Sequence, residues 1–254
     1  MISKTVRIAR MIVLASFALS SAAGAATCSN ASLSGAYGFL HPGTDSNGNP
    51  ISVAVSQLTF DSTTGSFTGE TTASHEGVLT TFSLSGTYTV ASNCTGTGMP
   101  TGANPFSIVV TSAGFLAVHP LSEGFAVKQG SPTCTIDRVK GSFGFEATGF
   151  FLAGAPATGS VALIGELKLT VNPSGEGVIS GHVAGSEGDT ILTFEEPVTG
   201  SYTVDRDCRG RATIRPEGLS EMHFSLVVVD GGKEMLAIET DADTVVSSTL
   251  VKGN

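Results

Sequence analysis

Cys28-Ser29-Asn30-Ala31-Ser32-Leu33-Ser34-Gly35-Ala36-Tyr37-Gly38-Phe39 is a stretch whose pattern occurs twice. A cysteine is followed by eight residues and then by Tyr37-Gly38-Phe39, with Gly35 two positions before the tyrosine. From Cys134 the pattern returns as eight residues, then Phe143-Gly144-Phe145, with Gly141 two positions before the first ring. Large and small residues alternate in both copies, which suits a strand carrying its rings on one face.

Working outward, the later features pair off in order. Leu58-Thr59-Phe60 matches Leu167-Lys168-Leu169, and Gly65 and Gly69 match Gly177 and Gly181. Gly86-Thr87-Tyr88-Thr89-Val90 with Cys94 matches Gly200-Ser201-Tyr202-Thr203-Val204 with Cys208. Phe106-Ser107-Ile108-Val109-Val110 matches Phe224-Ser225-Leu226-Val227-Val228, and Leu116-Ala117-Val118 matches Leu236-Ala237-Ile238. The offset grows from 106 residues (134 less 28) to 120 (236 less 116). The additions fall at turns, where surface loops on a packed scaffold tolerate them.

Within the first copy, His41-Pro42-Gly43 and Asp45 to Pro50 read as a turn-rich loop. Strands are expected at Ile51 to Asp61, Ser66 to Ser74, Val78 to Val90 (broken at Gly86), Phe106 to Val110, Phe115 to Val118 and Gly124 to Lys128. In the second copy, Val161, Leu163, Gly165, Leu167, Leu169 and Val171 alternate with Ala162, Ile164, Glu166, Lys168 and Thr170. A period of two over that length is a half-buried antiparallel strand. A repeat of about a hundred residues is too long for a solenoid or propeller unit of roughly 20–50 residues, so the copies are tandem domains. Seven or eight strands tend to curl, and closure removes exposed edges. The fold class is therefore all-β, with two tandem small antiparallel β-barrels; a pair of β-sandwiches is the alternative. The domains are 27–131 and 132–254, parted at the breaker cluster Gly130-Ser131-Pro132.

Residues 1–26 read as a signal peptide. Lys4, Arg7 and Arg10 form a basic start, Met11 to Leu19 is an apolar run too short to span a bilayer, and Ala23-Gly24-Ala25 suits cleavage after Ala25 or Ala26. Taking the leader's three basic residues from the chain's 13 leaves ten against 22 acidic ones, a net charge of −12. Such a chain repels nucleic acid and anionic lipid. Up to Ser131 the mature chain carries five acids and one base, Lys128; 17 acids and nine bases follow. No later stretch is apolar and long enough for a membrane-spanning helix, so a secreted or periplasmic protein is expected. Its four cysteines are an even set in an oxidising compartment. The repeat makes Cys28–Cys94 and Cys134–Cys208 the symmetric pairing, each closing a loop worth roughly 4 kcal/mol in the chain-entropy model. Pairing across the copies, Cys28 with Cys134 and Cys94 with Cys208, stays open at this level.

The order of these features resembles a family of exported bacterial proteins that share the allene oxide cyclase barrel-like fold. Those proteins show a cysteine, a Gly-x-Tyr/Phe-Gly-Phe strand, a Gly-Thr/Ser-Tyr-Thr-Val segment leading to Cys-x-Gly, and an apolar strand that begins with Phe. Here these are Gly35 to Phe39, Gly86 to Gly96 and Phe106 to Val110, repeated at Gly141 to Phe145, Gly200 to Gly210 and Phe224 to Val228. The resemblance implies an eight-stranded barrel with a lumen suited to a small apolar ligand. None of the plant cyclase's catalytic positions matches this chain. There is no Trp, so the Gly-x-Trp start of lipocalins is absent.

Chemistry-bearing patterns are sparse. Asp45-Ser46-Asn47-Gly48-Asn49 spaces its oxygens like a calcium loop, but Pro50 and Ser56 stand where an EF-hand needs Gly and a bidentate acid. His41, His75, His119, His182 and His223 are scattered, without metal-ligand spacing, and His75-Glu76 and His182 are expected near equivalent turns. Glu195-Glu196 would point to opposite faces of a strand. Asp205 and Asp207 read as a charged turn, and Asp241-Ala242-Asp243 as a hairpin tip. No motif asks for a cofactor or a metal, and none marks a catalytic residue.

The inward rings remain. Tyr37, Phe39, Tyr88 and Phe106, with counterparts Phe143, Phe145, Tyr202 and Phe224, are either plain core or the lining of a lumen for one small apolar molecule. Three functions follow: a noncatalytic binder of such a ligand in a lumen or at a barrel mouth, a structural or cell-surface interaction protein, and an isomerase like the cyclase. The sequence sets no oligomeric state.

Overall fold

A computed structural model describes residues 27–45, 49–119, 122–131, 133–155, 158–187, 190–217 and 220–253. The leader, Ser46 to Gly48 of the turn-rich loop and Pro132 of the boundary cluster lie outside them.

Sixteen strands form two closed eight-stranded antiparallel barrels in tandem. Barrel 1 contains β1 (Gly35–Thr44), β2 (Pro50–Asp61), β3 (Ser66–His75), β4 (Val78–Val90), β5 (Thr95–Pro100), β6 (Phe106–Val110), β7 (Gly114–His119) and β8 (Ser122–Lys128). Barrel 2 contains β9 (Gly141–Phe151), β10 (Gly159–Val171), β11 (Gly177–Glu187), β12 (Thr190–Val204), β13 (Arg209–Pro216), β14 (Met222–Val229), β15 (Glu234–Glu239) and β16 (Thr244–Lys252). Neighbours in sequence pair throughout, and each barrel closes where its last strand meets its first: Tyr37 opposite Lys128, and Phe143 opposite Lys252. Among the described residues there is no α-helix, only three short 3-10 turns.

The alternation along β10 holds. Val161, Leu163, Leu167 and Leu169 are buried, while Ala162, Ile164, Glu166, Lys168 and Thr170 are exposed. Two expectations are corrected. Strand β4 runs unbroken through Gly86, because this glycine serves close approach and not a break. A Cβ there would lie 2.6 Å from the Phe67 ring and 2.3 Å from the Met99 carbonyl oxygen. His41-Pro42-Gly43 is also strand and not loop: β1 continues to Thr44, with His41 opposite Ala54 and Pro42 opposite Val53. Proline is tolerated because the β8 ladder skips it, passing from Leu40–Phe125 to Gly43–Ser122.

One end of each barrel is plugged. The 3-10 turns Asn30–Leu33 and Ile136–Val139 bury Leu33 and Val139. Disulfides Cys28–Cys94 and Cys134–Cys208, with Cα separations of 4.9 and 4.8 Å, tie each plug to the turn after the fourth strand of its barrel. The link is within each copy, as the repeat predicts. In barrel 1 the Tyr88 hydroxyl donates to the Asn30 carbonyl (3.0 Å), and the Val90 N–H donates to Asn30 Oδ1 (2.8 Å). In barrel 2 Ile136 stands at the position of Asn30, and the buried Tyr202 hydroxyl has no protein partner.

The barrels are packed together. Leu40, Val53 and Val55 from the outer face of β1–β2 form one buried cluster with Val227, Val229, Leu236, Ile238 and Val245 from the outer face of β14–β16. Gly38 lets the strands approach, since a Cβ would sit 2.5 Å from Val229 Cγ1. At the matching Gly144 a Cβ would meet nothing nearer than the Val251 carbonyl at 3.8 Å. Polar bonds frame this contact: Arg209 with Glu70, Gln57 with the Asp207 carbonyl, Ser74 with the Thr244 carbonyl, and the Asp243 N–H with the Gly77 carbonyl (3.0 Å).

Candidate functional site

The aromatic side chains singled out above lie inside their barrels. Tyr37, Tyr88, Phe143, Phe145, Tyr202 and Phe224 are buried; Phe39 and Phe106 are half-buried and pack on the barrel 1 core. They do not surround an open lumen. In barrel 1, Phe60 fills the middle, with ring centroids of Tyr37, Phe67, Tyr88 and Phe115 between 5.0 and 5.5 Å away. In barrel 2, a void of ≈ 20 Å³ is enclosed by residues that include Phe145, Tyr202 and Phe224. That volume admits about one water. Burial there pushes the Tyr202 phenol up to about 12, helped by Asp137.

The unplugged end of barrel 1 differs. Continuing the inward period of β1 past Tyr37 and Phe39 brings His41 into the interior, where its ring stacks on Phe39 at 5.4 Å. His41 Nε2 and Ser122 Oγ are 2.7 Å apart, within hydrogen-bond distance. Behind them Ser56 and Thr71, both buried, share a hydrogen bond of 2.8 Å. Burial, with His119 nearby, holds the His41 pKa below the ordinary histidine value. This end opens into a groove of ≈ 1230 Å³. Pro42, Phe106, Val118, His119 and Ser122 line it from barrel 1, and Thr148, Val245 and Ser247 from the wall of barrel 2. The site therefore combines apolar surface, a polar pair held in place and a second imidazole.

The sequence reading singled out Phe106 here and missed the pairing of His41 with Ser122. One signal was present: an inward register of two carries from Tyr37 and Phe39 to His41. Ser122 belongs to β8, far along the chain, and only barrel closure sets it beside β1.

A histidine whose pKa falls on folding takes up a proton less readily folded than unfolded. Its contribution is complete above the unfolded value of about 6.5 and is lost as pH falls through that value toward the lowered one. The urea midpoint of the wild-type chain should therefore drop more steeply than that of His41→Gln between roughly pH 7.5 and pH 5.5. Parallel slopes would remove His41 as the cause.

The other candidates resolve as follows. Asp45 accepts from the Asn49 backbone N–H (2.8 Å) and side-chain amide (2.9 Å), so both oxygens of its carboxylate are engaged; Ser46, Asn47 and Gly48 of the calcium-like pattern lie outside the described residues. His75 ends β3 at the tight turn to Val78, as expected. His182 is a correction: it lies in the middle of β11, opposite Glu166 and Pro197 and exposed, because the strand extends well past it. Asp241 does sit in the turn between β15 and β16, but it also grips His223, whose Nδ1 is 2.7 Å from Oδ1 and whose backbone N–H donates to Oδ2 at 2.8 Å. Asp207 accepts from Arg209 Nε at 2.8 Å. Glu195 and Glu196 belong to β12, but their side chains fall outside the described residues. Among the described residues, no three His, Cys, Asp or Glu are grouped so as to hold a metal ion.

No family model matches the chain, and no curated protein matches it. Among solved structures it is similar to a protein of unknown function from the DUF3598 family of Nostoc punctiforme, at 10% identity over 87% of this chain and 97% of that one, with a TM-score of 0.28.

Proposed function

We propose that the chain is a secreted, noncatalytic binding protein that holds a small, mainly apolar molecule in the groove at the open end of barrel 1. The supporting observation is the makeup of that groove: apolar Pro42, Phe106 and Val118 beside Ser122, which His41 holds by a hydrogen bond. Ligand sites are concave, largely apolar and carry a few placed polar groups. The filled interiors move the ligand from the lumen to the mouth. Export is supported by the leader and by the two disulfides, which persist in oxidising compartments. Among the described residues no helix is long and apolar enough to cross a membrane.

Nile red, a neutral apolar dye, tests the reading when titrated against residues 27–254. Saturable one-site fluorescence enhancement is expected. Phe106→Ala should weaken it about tenfold, the equivalent of about 1.4 kcal/mol, by removing the ring that faces the dye. Tyr202→Phe, in the closed interior of barrel 2, should leave it unchanged. Enhancement that never saturates, or that ignores Phe106, would sink the proposal.

A further inference from the structure

The repeat places one sheet face in two different situations. In barrel 2, Val227, Leu236 and Ile238 point outward from β14 and β15 and are only 3%, 0% and 0% exposed, sealed against Leu40, Val53 and Val55 of barrel 1. Their repeat counterparts on β6 and β7 are Val109, Leu116 and Val118, which are 41%, 48% and 46% exposed. The registers agree: Val109 opposes Leu116 as Val227 opposes Leu236, and Ser107 opposes Val118 as Ser225 opposes Ile238. Leu116 is also cross-strand to Phe125, which packs on the cluster between the barrels. The exposed face thus continues an interface already formed. A contiguous apolar patch on a soluble surface marks an interaction site.

Two surfaces of another copy of this chain are available to cover it. The first would extend the order of the chain, head to tail. It requires the β9–β10 face of barrel 2 to act as the β1–β2 face of barrel 1 does. The positions of Leu40, Val53, Val55, Gln57 and Thr59 are there taken by Glu146, Ala162, Ile164, Glu166 and Lys168. Covering those charged groups with Val109, Leu116 and Val118 would strip them of water with no new partner, at several kcal/mol per ion. The second surface is the same face of the other copy. It is apolar and hydroxyl-bearing, and among the described residues its charge is Glu123, cross-strand to Val118 at the start of β8. It belongs to the half of the mature chain with five acids and one base, where two strongly acidic copies approach with least repulsion.

We propose that Val109, Leu116 and Val118 form the centre of a two-fold contact between two copies of the chain. Like faces meeting about a dyad give a closed dimer and not a filament. Strands β5, β6 and β7, about 4.8 Å apart with about six residues rising roughly 3.3 Å each, offer a mean plane of about 300 Å² per copy, since β8 already packs Phe125 and Val127 between the barrels. A standard interface buries about 800 Å² per partner, so the dimer is reversible.

Sedimentation equilibrium of the mature protein, from roughly 5 to 500 μM, decides the matter. One monomer–dimer constant should fit, and Leu116→Asp should raise it at least tenfold while far-UV circular dichroism and the urea midpoint of the monomer stay unchanged. Ile164→Asp, on the charged face of barrel 2, should leave the constant as it is. A monomer at every concentration overturns the proposal. So does a dimer indifferent to Leu116→Asp, or growth beyond two copies. Val118 also borders the groove, so the measurements are made on protein without added ligand, and Leu116→Asp and Ile164→Asp alter residues that do not line it.

Discussion

Leu236→Asp should remove at least 4 kcal/mol of stability, on the order of the whole margin of an ordinary domain of about 5–15 kcal/mol. Leu236 is buried between the barrels, among Val227, Val229, Ile238 and the side chains of Leu40, Val53 and Val55. Truncating a leucine in such a place costs about 2–5 kcal/mol on its own. The new carboxylate would in addition be buried with no cation among those neighbours, and would either stay protonated or force the barrels apart. Leu116→Asp, at the matching position of barrel 1, should change the stability of the monomer by less than about 0.5 kcal/mol, as exposed substitutions usually do. Urea unfolding of the two variants side by side reads this difference. Equal losses would mean that the contact between the barrels does not form.

Phe60→Ala is the second large effect, expected at about 3–5 kcal/mol and toward the upper end of that range. The ring is buried and touches four others, with Tyr37, Tyr88 and Phe115 edge-on at interplanar angles of 85°, 86° and 77°. Edge-to-face pairs contribute about 0.5–1.5 kcal/mol each beyond their buried area. The neighbours belong to β1, β3, β4 and β7 and so reach Phe60 from around the barrel, which limits how far the wall can collapse into the hole. Phe60→Leu should cost much less. The second copy carries Leu169 in this place, opposite Gly141 as Phe60 is opposite Gly35. The unit therefore folds around an aliphatic centre when the surrounding side chains suit it. Urea midpoints of the two Phe60 variants check this, and similar losses for both would deny Phe60 its central place.

Much of the fold was legible because a strand states its two faces in alternate residues. Tyr37 and Phe39, or Leu163 and Leu167, could be put inside from spacing alone, and the twofold cysteine pattern made the bonds within each copy the symmetric choice, which the structure has. The misreadings came from residues with two uses. Gly86 reads as a breaker, yet it makes room for the Phe67 ring. Pro42 reads as a turn, yet the β8 ladder leaves it unpaired. The polar end of the site was the least legible part. His41 and Ser122 lie on the first and last strands of barrel 1, and only closure of the sheet joins them.

By itself the sequence determined that one β-unit is present twice and which side chains each unit turns inward, since both follow from local period and from repetition; it made pairing of cysteines within each copy the symmetric choice, and the structure closed that choice. The tertiary structure alone decided that the interiors are filled and that the outer face of β14–β15 is covered while that of β6–β7 is bare. The physical reason is that Leu116 and Leu236 occupy the same local pattern, Leu-Ala-Val and Leu-Ala-Ile. Nothing in a strand's own period records what lies against its outer side. That depends on the packing partner, and in this chain β1 and β2 partner only one of the two faces.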